Sequence, residues 1–383
     1  MSARDVVIVE AVRTPVGKRD GGLAGVHPVD LSAHVLSSLV ERAGVDPALV
    51  DDVVWGVGAQ VGDQSFNVGR NAVLAAGWPD AVPGTSIDRQ CGSSQQAVHF
   101  AAAGIAAGQY EVAVAGGVES MSRVPMGKSV VDGDPFGPIL MARYEGTPPN
   151  QGIGAEMIAE RWGLDRTRLD EHALESHARA AAAIDAGRFE GQIAPVTTPD
   201  GTVVSVDEGV RRGGTVEGMA GIRSAYREGG LVTAGNASQI SDGSAALLLM
   251  TAERARGLGL TPIARVHTAT VVGDDPVIML TGPIPATARA LERAGLSIDE
   301  IGTFEINEAF ASVTLAWLAE TGADPARVNP DGGAIALGHP IGGSGARLMT
   351  TMLHRMREQG IRYGLQSMCE GGGMANATIL ELL

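Results

Sequence analysis

The stretch that decides how this chain is read is Ile87-Asp-Arg-Gln-Cys-Gly-Ser-Ser-Gln-Gln-Ala97. Ahead of it, Val82 to Ile87 is a short extended run; behind it, Ser93 to Ala107 is rich in Ala with polar residues at helical spacing. The pattern predicts a strand that gives way to a helix at Cys91. A thiol there lies beside the first backbone N–H groups of the helix, which lack intrahelical partners and carry partial positive charge. Such a setting favours thiolate and lowers the ordinary thiol pKa of about 8.5. The competing reading is a buried, inert cysteine, the common fate of a free thiol in a core. The local residues alone leave both readings open.

The chain has only one other cysteine, Cys369, followed by Glu370 and Gly371-Gly-Gly373. Three glycines in a row bring backbone N–H groups close to a ligand with no side chains in the way. Between the cysteines lies Gly338-His-Pro-Ile-Gly-Gly-Ser-Gly345, which places His339 in a Gly-rich turn before a helix expected from about Ser344. A lone histidine is usually structural. In such a loop, in a chain with two cysteines so placed, it is a candidate base.

Composition bounds the rest. At 383 residues, 44% hydrophobic and 19% charged, the chain can bury a large core in two or three domains. The net charge of −15 argues against nucleic-acid binding, which needs basic patches. It leaves room for one small anionic ligand held by local arginines and helix N-termini. Two cysteines so far apart form no zinc or disulfide framework, so no metal site is expected and a reduced, cytoplasmic setting is. Asp5-Val-Val-Ile-Val9 reads as a core strand almost at once, so no targeting peptide is expected. No apolar run approaches the roughly 18 residues of a membrane span.

Taken in order, Val6 to Val12 reads as a strand and Asp30 to Ala43 as an amphipathic helix capped by Asp30. Val53 to Gln60 and Val112 to Gly116 read as apolar strands, with a helix over Asn67 to Ala76 between them. Strands alternating with helices predict a layered α/β fold with mostly parallel strands. From Arg123 to Ile240 prolines multiply and strand-like runs vanish, which marks an excursion. Helices are expected at Gly154 to Trp162 and Thr167 to Ala186, with His172 and His177 read as solvated or capping. After a buried strand at Ala245 to Met250, the plan of the first half recurs. There are strands at Ile263 to Thr270, Gly302 to Ile306 and Gly364 to Met368, and helices at Ile284 to Ala294 and Ser344 to Met356. The chain thus divides into a core over 1–122 completed by 241–262, an inserted segment over 123–240, and a second core over 263–383. Two copies of one unit would bring the Cys91 and His339 loops face to face.

These residues add up to a family resemblance. Arg89-Gln-Cys91-Gly-Ser93, Gly116-Gly-Val-Glu-Ser-Met121, Asn236-Ala-Ser238, Thr281-Gly-Pro-Ile-Pro-Ala286, Asn307-Glu-Ala-Phe-Ala311, Gly338-His339-Pro-Ile-Gly342 and Cys369-Glu-Gly-Gly-Gly373 occur in the order of a thiolase. The chain resembles that family, the acetyl-CoA C-acyltransferases, over essentially its whole length. The resemblance implies two repeated βαβαβαββ core domains in a layered α-β-α-β-α arrangement with an inserted loop domain. It also implies roles. Cys91 is the nucleophile that takes up an acyl group as a thioester, His339 the base that activates it, and Cys369 the acid/base at the substrate α-carbon or the CoA sulfur. Asn307 holds a water that with His339 forms one oxyanion site; the backbone N–H groups of Cys91 and Gly371 form another.

The chemistry needs such a set. Cleaving a 3-ketoacyl thioester expels an enolate, which calls for donors aimed at its oxygen. The acyl group must be held meanwhile on a good nucleophile and leaving group, and a separate group must protonate carbon. By resemblance, Ala234 and Ser238 meet pantetheine, Arg211 meets the adenosine phosphates, and Met279, Ala309 and Phe310 lie at the acyl site. Arg211 and Arg212 also read as a plain solvated pair, and Gly218 stands where the family often has serine. No tightly bound cofactor is implied; coenzyme A is a co-substrate, and the protein is expected as a homodimer or homotetramer. Asn150-Gln151 replaces the His-Met pair usual in short-chain biosynthetic members, Leu280 follows Met279 where glycine is frequent, and Cys369-Glu370 is closer to degradative members. The expected activity is thiolytic breakdown of a longer or bulkier 3-ketoacyl-CoA, as in β-oxidation. Alternatives are a biosynthetic acetoacetyl-CoA thiolase and a non-catalytic acyl-CoA-binding relative. A ketosynthase is disfavoured, because those condensing enzymes lack the second cysteine.

Overall fold

The computed structural model describes residues 4–383. Nine strands carry the architecture: β1 (Val6–Arg13), β2 (Asp52–Gly56), β3 (Gly84–Ile87), β4 (Val112–Ser120), β5 (Ser241–Thr251), β6 (Ala264–Gly273), β7 (Thr303–Ile306), β8 (Tyr363–Glu370) and β9 (Met374–Leu382). The first five lie in the order β3-β2-β4-β5-β1 and the last four in the order β7-β8-β9-β6. Numbered by appearance within each half, the first is 3-2-4-5-1 and the second 2-4-5-1. The missing third strand survives as one parallel bridge from Val328 to the outer side of Phe304. Pair directions repeat as well: β2 and β4 are parallel, as are β7 and β8, whereas the pairs that follow are antiparallel in both halves. The halves join edge to edge over only Val7–Arg265 and Ile8–Ala264.

The expectation of mostly parallel strands is corrected. Both halves are mixed sheets: β4–β5 and β5–β1 in the first, β8–β9 and β9–β6 in the second, pair antiparallel, and only the outer strands pair parallel. Both faces of the first half are buried, so apolar residues do not alternate with polar ones along it. On β5, Ala246, Leu248 and Met250 face one core while Ala245, Leu247 and Leu249 face another. Truncating Leu247 to Ala would cost about 2–5 kcal/mol on this account.

Three helical layers enclose the halves. Helices α1 (Pro28–Ala43) and α2 (Val68–Ala75) cover the outer face of the first half. Helix α3 (Ser93–Ala107) follows the bound predicted from sequence. In the 123–240 segment, α4 (Gln151–Arg161) and α5 (Arg166–Asp185) follow. Helices α6 (Pro283–Ala294) and α7 (Ala311–Thr321) cover the second half; α8 (Ile341–Gln359) lies with α3 between the halves. The two central helices cross closely: a Cβ on Gly345 would meet the backbone nitrogen of Gln95 at 2.4 Å. This crossing sets the starts of α3 and α8 side by side.

Several boundaries differ from expectation for local reasons. Helix α1 begins at Pro28, with His27 rather than Asp30 as its cap, because the proline needs no hydrogen-bond acceptor at the first position and His27 Nδ1 accepts from Val29 N. Helix α8 begins at Ile341, three residues before Ser344, directly after Pro340. Helix α7 begins only at Ala311, because Ala309 N turns back onto Asn307 O at 2.9 Å and Phe310 bridges to Ala237. Strand β2 stops at Gly56, well short of Gln60, whereas β4 and β8 run on to Ser120 and Glu370.

Candidate active site

Cys91 sits on a sharp turn. Gln90 has a positive φ of 49°, Asp88 Oδ1 accepts from Gln90 N at 2.6 Å, and Ser93 Oγ donates to Gln90 O at 2.6 Å. A left-handed non-glycine residue costs of order 1–3 kcal/mol and is held only where surroundings demand it. Gly92 then caps α3. The side chain of Cys91 packs against Leu348 and Met368. Burial pushes its thiol well above the usual range, and Cys369, Glu370 and Glu119 push the same way when ionised. The expectation of a thiol lowered by the helix N-terminus is therefore corrected. The favourable backbone N–H contribution is present but smaller than desolvation. In the free chain the thiol is held protonated and must lose its proton to a base.

His339 supplies a base in a defined tautomer. Its Nδ1 lies 2.6 Å from Ser344 Oγ, and Ser344 Oγ donates its single proton to Pro340 O at 2.8 Å. Nδ1 must then carry the hydrogen and donate, which leaves Nε2 with a bare lone pair. Nε2 is buried and has no partner. Burial, with Arg347 adding, pushes the imidazole down to about 3, so it is neutral at physiological pH. Glu119, the acid of the Gly116-Gly-Val-Glu motif, secures the loop by accepting from Gly342 N at 2.7 Å and Gly58 N at 2.8 Å. It thereby ties the end of β4 to the start of α8. Neither Ser344 nor Glu119 was singled out from sequence, although both lie within motifs that were.

Cys369 is fully buried at the end of β8. Asn307 Nδ2 approaches its sulfur at 3.9 Å, and Asn307 Oδ1 has no partner. Burial pushes this thiol up to about 12. Met279, Leu280, Ala309 and Phe310 form one apolar cluster with Cys369, and Tyr226 stands edge-on to Phe310 at 5.8 Å. A Cβ on Gly371 would meet the Gln90 side chain at 3.0 Å, so the Gly-rich loop after Cys369 touches the Cys91 turn. Cys91, Cys369, Gly371, Asn307, Met279, Ala309 and Phe310 are thus brought together around the ends of β8 and α3, with His339 at the start of the neighbouring α8.

The remaining candidates lie further out. Ser238 N donates to Ala309 O at 2.9 Å, which joins its loop to the apolar cluster, whereas Ala234 is exposed. Arg211 is exposed; its backbone N–H donates to His177 Nδ1 at 3.1 Å, and its side chain makes no ion pair among the described residues. Arg212 is spent on Asp185, at 2.7 and 2.8 Å, so the two arginines are not equivalent. Gly218 lies exposed in a short helix, Val216–Ala220, capped by Thr215. The reading of His172 and His177 as solvated is overturned. Both are buried, because α5 packs on the second half, and His172 Nε2 faces Glu308 at 3.3 Å. Among the described residues no group of acidic, Cys or His side chains has metal-ligand spacing, and no helix is long and apolar enough to cross a membrane.

This layered α/β fold, with Cys91 and His339 at the starts of its two central helices and Cys369 buried at the end of β8, is that of an acyl-transferring enzyme. The family description "Thiolase, N-terminal domain" matches residues 6–253 and "Thiolase, C-terminal domain" matches 260–382. The chain belongs to the thiolase family and is an acyltransferase. It is 51% identical over 387 residues to a steroid 3-ketoacyl-CoA thiolase of Mycobacterium tuberculosis, covering 99% of this chain and 94% of that protein. It is 44% identical over 386 residues to a 3-ketoacyl-CoA thiolase of Escherichia coli, covering 98% and 99%. Among solved structures it is similar to an acetyl-CoA acetyltransferase of Bacillus anthracis, with a TM-score of 0.91, 42% identity and 99% of each chain covered.

Proposed function

We propose that this thiolase cleaves 3-ketoacyl-CoA thiolytically, with Cys91 as nucleophile, His339 as its base and Cys369 as acid at carbon. What supports the reading is the bare Nε2 of His339, buried and unpaired at the start of α8, the helix that crosses α3, whose start carries a cysteine that burial holds protonated. Nε2 takes the Cys91 proton, and the thiolate attacks the 3-keto carbon of the substrate. The C2–C3 bond breaks, leaving an acyl thioester on Cys91 and the enolate of acetyl-CoA. Cys369, held as a thiol by burial, protonates C2 and releases acetyl-CoA. An incoming CoA thiol then gives its proton to the Cys369 thiolate and attacks the acyl-enzyme, and Cys91 leaves and recovers its proton from His339. Asn307, its Oδ1 free, holds a water for one oxyanion, while the N–H groups of Cys91 and Gly371 serve the other.

In this reading CoA is a co-substrate and no cofactor stays bound. Ser238, Ala234 and Arg211 meet its pantetheine and phosphates, and Met279, Ala309 and Phe310 line the acyl site. The inserted segment over 123–240, between cores at 1–122 with 241–262 and at 263–383, supplies most of the CoA contacts. The protein acts in the cytoplasm, where its two cysteines stay reduced, as a homodimer or homotetramer. The degradative direction is supported by what the mycobacterial and enterobacterial relatives are called. The test is to incubate the protein with acetoacetyl-CoA and map the acylated residue by mass spectrometry. Acylation at Cys91 is expected; an adduct on Cys369 with none on Cys91 reverses the assignment.

A further inference from the structure

Glu370 is a buried acid with no hydrogen-bond partner on either carboxyl oxygen, one residue beyond Cys369. It alternates with Cys369 along β8 and so shares a face with Met368, the residue that packs on Cys91. Its carboxyl presses against Gly92: a Cβ there would meet Oε1 at 1.9 Å and Asn376 Nδ2 at 2.7 Å. Any larger residue after Cys91 would evict the acid. Gly92 O accepts from Asn376 Nδ2 at 3.1 Å, so that amide is engaged and does not satisfy the acid. Arg89, across the turn, has a buried Nε without a partner, and its Nη1 reaches only Met374 Sδ at 3.8 Å. An unpaired acid at a helix start sets itself against the thiol that uses the same end of the helix.

We propose that Glu370 is a positioning residue that sets how readily the Cys91 thiol gives up its proton, protonated Glu370 permitting ionisation and ionised Glu370 opposing it. The inference rests on Cys91 being the acyl carrier. The charged groups that bear on the acid are Arg89, which favours its ionisation, and Asp88, which opposes it; Met374 and Asn376 of β9 bring no charge. Burial dominates them and pushes Glu370 up to about 8. Below that pH the acid is neutral and the thiol feels no charge from it. Above it, the new carboxylate raises both Cys91 and Cys369. The acid and the Cys91 thiol therefore titrate as a coupled pair and not as independent groups. The arrangement keeps the thiols protonated in alkaline conditions unless substrate and base remove the proton.

The test uses the full-length protein and iodoacetamide, with alkylation of Cys91 and Cys369 quantified separately by peptide mass spectrometry from pH 6 to 10. Glu370→Gln keeps the shape and removes the charge. The expected result is no difference at pH 6 and Cys91 alkylation faster by about three- to tenfold above pH 8, since a nearby like charge is worth about one pKa unit or less in such a setting. Superimposable profiles for the two proteins overturn the proposal. If Glu370→Gln does not fold, the wild-type profile decides alone. A shallow, two-step rise of Cys91 alkylation with a break near pH 8 supports the coupling, and a single ideal ionisation curve refutes it. Failure of the Cys91 assignment shows separately, as acylation at another residue.

Discussion

Ser344 Oγ stands 2.6 Å from His339 Nδ1 and donates its own hydrogen bond to Pro340 O, so one hydroxyl decides which imidazole nitrogen carries the hydrogen. The residue lies in the first turn of α8, and the geometry follows from that helix starting at Ile341.

Ser344→Ala should free the ring to rotate and change tautomer while leaving the fold intact. Removing one buried partner leaves Nδ1–H unsatisfied at about 1–3 kcal/mol, which corresponds to roughly a ten- to hundredfold loss. Stopped-flow acylation of Cys91 by acetyl-CoA reads the effect, with circular dichroism as control. Acylation at the parent rate would show that His339 is oriented by something else.

Acid should destabilise the protein through its buried neutral histidines. His99 and His339 are each pushed by burial from 6.5 down to about 3. The unfolded chain takes up their protons as pH falls below about 6.5 whereas the folded chain does not, so stability drops with falling pH across that window. Each contributes about 1.4 kcal/mol per pH unit there. His99→Gln, at a residue with no assigned part in the chemistry, should flatten the slope by that amount between pH 6 and 5. Urea unfolding at several pH values checks it; an unchanged slope would mean that His99 protonates within the fold.

Cys369→Ser should separate the half-reactions. Forming the Cys91 thioester needs His339 and a donor site, but no carbon acid. Making or breaking the C–C bond needs a proton moved at the α-carbon, and a serine hydroxyl is a much weaker acid than a thiol. Condensation and thiolysis should fall by about 10²- to 10⁴-fold, with acylation slowed less. Deuterium exchange at the acetyl methyl group in heavy water reports the step directly. Exchange persisting at the parent rate would remove Cys369 from the role.

Substrate size should respond to Tyr226. Its ring is edge-on to Phe310 and lies so close to the start of α4 that a Cβ on Gly152 would meet it at 2.0 Å. With Gln151 in place of the short-chain pattern, kcat/KM should be higher for longer or bulkier 3-ketoacyl-CoAs than for acetoacetyl-CoA. Tyr226→Ala should raise the bulky-to-short ratio further by about tenfold, the scale of one pocket contact. A steady decline of kcat/KM with acyl size in the wild type would sink the first claim, and an unchanged ratio in the variant the second.

Local patterning was enough to place many of the elements. The Ala-rich run from Ser93 predicted α3 to the residue, and the helix read over Asn67 to Ala76 is α2, with Asn67 as its cap and not its first residue, because helix propensity and caps act over a few positions. The order of elements carries the duplication, and seven motifs carry the likeness to thiolases in the sequence alone. Those properties are written in neighbouring residues. What neighbours could not supply was everything that depends on which residues meet across layers. Strand direction in the returning pairs, the burial of His172 and His177, and the pairing of Arg212 with Asp185 all come from packing. So does the state of Cys91. A helix start favours thiolate, yet the crossing of α3 with α8 at Gly345 and the unpaired Glu370 beside Gly92 bury the sulfur among acids. Desolvation and like charge grow with the number of surrounding layers, whereas the helix end acts only within one turn, so tertiary structure and not local sequence set the protonation of the nucleophile.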